Sequence, residues 1–177
     1  MPQPDTKTST ITEPLSSYGQ VIASIAGVIS GLEKSSRGDL AALRRMNPDA
    51  PSAPAFWRLL TSKVPAPYHH GKDAERRWAL IIQGMALMVP HHRGFDAGVG
   101  HALAAIRFSE LRLAKLLNAR KAQFRAQITH LARHLAARGQ PIDWRRLGEL
   151  ILCESRNEKR AEEIRMTIAR DYFATIK

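Results

Sequence analysis

From residue 15 onward, apolar residues recur at intervals of three and four, the spacing of a helix that buries one face. Val21, Ile22, Ile25, Val28, Ile29 and Leu32 predict a helix over residues 15–34, weakened modestly by Gly27. Ser36 with Asp39 three later has the form of a capping box, opening a short helix through Leu40, Leu43 and Met46. The segment NPDAPSAP stops it, and Pro54 suits the first turn of a helix carrying Phe56, Trp57, Leu59 and Leu60. SKVPAPYHHG reads as a loop, and residues 72–89 form the next helix, with Trp78, Ile81, Ile82, Met85 and Met88 as its core stripe.

After the irregular PHHRGFDAG, helices are predicted over residues 99–106, 109–118 and 123–137. The last of these aligns Phe124, Ile128, Leu131 and Leu135 and ends at Gly139 and Pro141. Asp143 is an N-cap for residues 144–152, and Ser155 with Glu158 forms a capping-box pattern for a final helix to about residue 173. No segment alternates as a strand does. The predicted fold is all-α, a compact bundle of about eight helices or two small packed bundles. Its parts are a disordered Pro-, Thr- and Ser-rich lead-in (residues 1–14), an N-terminal bundle (15–95) and a C-terminal bundle with a basic face (96–177).

Composition narrows the function classes. The chain has 177 residues and one cysteine, which excludes an internal disulfide framework and a Cys-rich zinc module. No apolar run approaches the length of a membrane span, and VIASIAGVI lacks a basic flank before it. A soluble cytoplasmic protein is expected. The net charge of +11 points to polyanionic partners. Its distribution is uneven: residues 1–103 carry 11 basic and 8 acidic side chains, residues 139–177 carry 8 and 7, and residues 104–138 carry 8 basic side chains against Glu110 alone.

On the helix over 109–118, Leu113, Leu116 and Leu117 share one stripe, and Arg107, Arg112 and Lys115 fall largely on the other side. In the next helix Arg125 and Arg133 stand away from the apolar stripe, while Arg120, Lys121 and Arg138 mark the helix ends. Two helices with apolar faces inward and basic faces outward suit phosphate oxygens; the bland alternative is a merely solvated basic surface. Arg44 and Arg45 end a short helix, where they either cap it or contact an anion. Arg76 and Arg77 lie in a first turn, where the helix dipole gives no local reason for positive charge; Arg76 either pairs with Asp73 or binds an anion. Arg145 and Arg146 beside Asp143 pose the same choice.

Catalytic and metal readings are thin. His130 and His134 are four apart on a helix, but no HExxH motif surrounds them and no carboxylate completes a site. The pairs His69–His70 and His91–His92 sit in loops, Cys153 reads as a core residue, and Gly98 and Gly100 read as a helix entry or close helix packing. Trp57, Trp78 and Trp144 read as core, and the loop residues Tyr68 and Phe95 as the more exposed aromatics. No metal, cofactor or catalytic residue is expected.

The order of several segments carries a resemblance. RGDLAALRR (37–45) is followed by PAFWRLL (54–60), GVGHALAAIRFSELRLAKLLNAR (98–120), QPIDWRRLGELIL (140–152) and ARDYF (169–173). Over about residues 21–175 the chain resembles the small subunit of type I-E CRISPR surveillance complexes, the Cascade family. That resemblance implies two small helical bundles without a catalytic centre. It also implies two copies packed head to tail beside the guide-RNA-bearing backbone and large subunits, holding the target and displaced DNA strands of an R-loop in antiviral defence. Arg44–Arg45, Arg112, and Arg125 or Arg133 fall where members carry positive charge, and Asp143–Trp144 resembles a cap and core anchor. The rival expectations are a free-standing helical DNA-binding regulator, an all-α metal-dependent enzyme using the loop histidines, and a structural spacer.

Overall fold

The computed structural model describes residues 13–94 and 97–176, with side chains from residue 18 onward. The predicted lead-in up to residue 12 and Phe95 lie outside the described residues. Among those described, the chain folds into helices alone: α1 (Glu13–Ser35), α2 (Arg37–Arg45), α3 (Pro54–Lys63), α4 (Ala66–His69), α5 (Lys72–Met88), α6 (Val99–Ala105), α7 (Glu110–Asn118), α8 (Lys121–Ala137), α9 (Trp144–Cys153) and α10 (Glu158–Thr175). The all-α expectation holds. Nine of these ten helices fall on segments read as helical, and α4 lies inside the segment read as a loop.

Helix α5 is the centre of the packing. Every residue from Trp78 to Ala86 is buried, because α2, α8 and α9 all pack on it, while α1 lies on α9 and α6 on α10. The hydrophobic cluster that results draws on helices from both sides of residue 95. Two glycines permit the closest approaches. A Cβ at Gly84 would overlap the Trp144 indole, bringing α9 against α5, and a Cβ at Gly100 would overlap the backbone of α10 at Ile168 and Tyr172. Close helix packing is therefore the role of Gly100.

Local signals are met with a few exceptions. Asp143 accepts from the Arg145 amide at 2.9 Å and caps α9, and Pro54 opens α3. Ser36 separates α1 from α2 but makes no side-chain cap. Asn157, not Ser155, caps α10, accepting from the Arg160 amide at 3.1 Å; Ser155 instead has φ +62°, in the left-handed turn between α9 and α10. Trp78 and Trp144 are core residues, as expected, but Trp57 is 38% exposed. Phe56, Leu59 and Leu60 turn inward from α3, and at 100° per residue Trp57 falls on its flank. Tyr68 is half-buried, its ring 4.7 Å from that of Tyr18 and its carbonyl accepting from the Trp78 indole.

Candidate nucleic-acid interface

Helices α7 and α8 pack on one another and meet at a short corner, joined by Ala119 and Arg120. Ser109 caps α7, its hydroxyl accepting from the Arg112 amide at 3.4 Å. Leu113 and Leu116 from α7, and Phe124, Ile128, Leu131, Ala132 and Leu135 from α8, are buried. Inward-facing leucines leave the polar positions outside, so Arg112 and Lys115 are exposed on α7 and His130 and Arg133 on α8.

Between the two helices runs an open groove of about 350 Å³. Its floor is Phe108, Leu116 and Leu131, all buried. Arg112 and Lys115 line it from α7, and Gln127, His130 and His134 from α8. No acidic side chain lines it. The Phe108 and His134 rings meet edge to face at 5.5 Å, and the Tyr172 hydroxyl of α10 donates to the Phe108 carbonyl, anchoring the floor to the core. Burial, followed by the Arg138 and Arg112 guanidiniums, holds His134 below the usual histidine range. Arg138 and Arg112 therefore both lie within electrostatic reach of this ring.

The basic residues predicted from sequence separate into two sets. Arg107, Arg112, Lys115, Lys121, Arg133 and Arg138 have no carboxylate partner among the described residues, whereas Arg120 and Arg125 do. Arg112 and Lys115 line the groove, Arg138 lies within electrostatic reach of its His134, and Arg107 and Arg133 directly precede the groove residues Phe108 and His134. Arg107 has φ +52° and Lys121 φ +50°, left-handed conformations that cost a non-glycine residue on the order of 1 kcal/mol each. At Lys121 the backbone amide donates to Glu154 at 2.9 Å and leaves the ammonium exposed.

The other set is turned inward or neutralised, except Arg45. Arg120 bridges Glu158 and Glu162 of α10 at 3.2 and 3.3 Å and also donates to the Leu117 and Ala119 carbonyls. The same two glutamates hold Arg165, which is 2% exposed. Arg125 pairs with Asp49 at 2.7 Å. The Asp49 carbonyl accepts from Arg76, which lies 3.7 Å from Asp73. Arg77 donates to the Glu154 carbonyl at 3.3 Å, and burial together with nearby Arg156 lowers its pKa. Arg44 donates to Ala86 at 2.8 Å, sealing the end of α5, while Arg45 is exposed at the end of α2. Arg145 chelates Asp143, and Arg146 lies 3.8 Å from Glu149.

Sequence reasoning passed over Phe108, Gln127 and the histidine pair as contributors to a surface. The signal available was the spacing of His130 and His134, which puts both on one edge of α8; that α7 faces this edge is a tertiary fact. Among the described residues no three His, Cys, Asp or Glu side chains gather as a metal-ligand set, and no helix is long and apolar enough to cross a membrane. His92 is buried, its Nε2 within hydrogen-bond distance of Ala26 and Ser30. Cys153 is buried, which pushes its thiol pKa up, with Glu149 adding to the effect. That environment suits a core residue rather than a nucleophile.

The family model for CRISPR-associated protein Cse2 matches residues 39–173, most of the chain. The chain belongs to the Cse2 family. Cse2 is the small subunit of type I-E Cascade, so the resemblance carried by RGDLAALRR, GVGHALAAIRFSELRLAKLLNAR and QPIDWRRLGELIL is confirmed, and the chain takes part in a CRISPR defence complex. The crystal structure of CasB from Thermobifida fusca has the same fold, with a TM-score of 0.67 at 16% identity over 88% of this chain and 97% of that one. No curated protein sequence matches the chain. The Cse2 match begins at residue 39, after α1, and spans α3 to α9 whole, including the groove.

Proposed function

We propose that this chain is the non-catalytic strand-holding subunit of an RNA-guided surveillance complex, with the α7–α8 corner laid along the sugar-phosphate backbone of opened DNA in the R-loop. The observation that carries this reading is the division of its arginines. Arg112, Lys115 and Arg138 stand without carboxylate partners around one groove, while the arginines elsewhere largely have acids or carbonyls of their own. Unpaired cations on rigid helices release counterions when phosphates replace them, and that release favours the opened strand. Sequence reading is then left to the guide RNA, which acts in the cytoplasm where the target DNA lies.

Membership of the complex needs protein contacts as well. Leu111, Met166, Phe173 and Ile176 are large apolar side chains left exposed on α7, on α10 and just beyond its end. They support docking against a backbone subunit, the large subunit or a second copy of the chain.

The test is R-loop formation by the assembled complex across several target sequences. Replacing Arg112 and Lys115 with alanine should weaken R-loop formation on all targets alike. It should also reduce the salt slope of strand binding by roughly 1.4, the value for two lost single-strand phosphate contacts. A loss confined to targets with particular bases, or an unchanged salt slope, would count against backbone contact at this corner.

A further inference from the structure

Backbone contact requires only a convex basic surface, yet this corner carries a cavity with an apolar floor. We propose that the α7–α8 groove takes up one unstacked nucleobase of the bound strand, whose phosphate is held at the rim by Arg112 and Lys115. This rests on the strand-holding reading above and adds a ligand class for the groove.

Three observations carry it. First, about 350 Å³ lies within the range of small-molecule sites. Second, the floor of Phe108, Leu116 and Leu131 offers a flat apolar bed, with the His134 ring edge-on to Phe108. A base slid into the groove exchanges water for these surfaces, and stacking of this kind is worth about 1–3 kcal/mol per base. Third, the walls pair that bed with two cations and no acid. A purely apolar ligand would leave the cations unused, and an acidic side chain has no planar body to cover the floor. A nucleotide supplies both parts.

The polar wall groups fit the edges of a base without selecting one. His134, held neutral near pH 7 by burial and by Arg138 and Arg112, presents one N–H and one lone pair. The Gln127 amide presents both a donor and an acceptor. Either edge chemistry can therefore be met, so the groove is tolerant of sequence. It holds a base as a peg that keeps the strand from sliding.

The experiment compares two labelled single strands of equal length and charge, an oligothymidylate and its fully abasic counterpart, titrated into the purified full-length chain at low salt. The expected result is a base-bearing strand bound roughly tenfold tighter. Gln127→Trp fills the groove from a half-buried position. It should abolish the preference for the base-bearing strand. A 2-aminopurine strand gives a second readout, its emission rising with the wild-type chain as the base leaves its stacked neighbours, and not with Q127W. Equal binding of both strands by the wild type, or a preference that survives Q127W, would overturn the base pocket and leave backbone binding intact. Failure to bind either strand would overturn the strand-holding reading as well. Displacement of the oligothymidylate by polyglutamate of matched charge from the wild type but not from Q127W would give the groove to an acidic polypeptide and also overturn the proposal.

Discussion

His134 lies where burial, Arg138 and Arg112 all oppose its positive form. Its pKa in the folded chain is therefore below the unfolded value of about 6.5. Above that value the group is neutral in both states, and stability is lost as pH falls through the lowered folded pKa, because the unfolded chain takes up the proton first. A phosphate beside the groove reverses that balance, since it favours the imidazolium. Strand affinity should accordingly rise as pH falls from about 7 to 5.5, by roughly two- to fivefold more in the wild type than in His134→Gln. Anisotropy titrations at constant ionic strength measure the difference, and matching pH profiles would place His134 away from the strand. At this scale the sequence was only half legible. It located the basic residues, but Arg120 is neutralised by glutamates from α10 and Arg125 by Asp49 from the loop before α3. Those acids lie far along the chain, where no periodicity connects them to the arginines they neutralise.

Among the elements, α10 has the largest influence on the groove. Its backbone meets α6 at Gly100, and one turn further its Tyr172 hydroxyl holds the Phe108 carbonyl. A methyl at Gly100 would come within 2.6 Å of the Asp171 Cβ and 2.8 Å of the Tyr172 amide nitrogen. Since the obstacle is largely backbone, α10 has to move away. Gly100→Ala should therefore cost roughly 1–3 kcal/mol, read as a lowered urea midpoint, and should loosen the groove floor with it. An unchanged midpoint would mean that α6 and α10 separate without strain. The helices themselves were legible, because stripes such as Trp78, Ile81, Ile82 and Met85 have one period and one meaning. Ends were harder: Ser36 and Ser155 each had the sequence of a cap, but Ser36 makes no cap bond and Asn157 supplies the cap of α10. Helix α4 offered no signal, being a single turn too short to show a period.

Over the whole molecule, the exposed large apolar side chains gather mainly on α10 and its end, with Leu111 beside Arg112 on α7. Arg112 and Lys115, without carboxylate partners, line the α7–α8 groove, whereas Met166, Phe173 and Ile176 follow the exposed side of α10 and its end. Phe173 is 52% exposed and touches Tyr172 edge to face. Phe173→Asp should leave unfolding free energy within about 0.5 kcal/mol yet reduce co-purification with the guide-RNA-bearing complex. Full recovery of that complex would assign this face to solvent. The burial of α5 has a different consequence, one concerning synthesis. Helix α5 is buried from Trp78 to Ala86, but α8 and α9, which cover it, begin only at Lys121 and Trp144. A ribosome therefore makes this helix before two of the helices that pack on it. Until they emerge, the nascent chain can cover Ile81, Ile82 and Met85 only from the side of α1, α2 and α3, which makes this interval the one in which a chaperone has most to do.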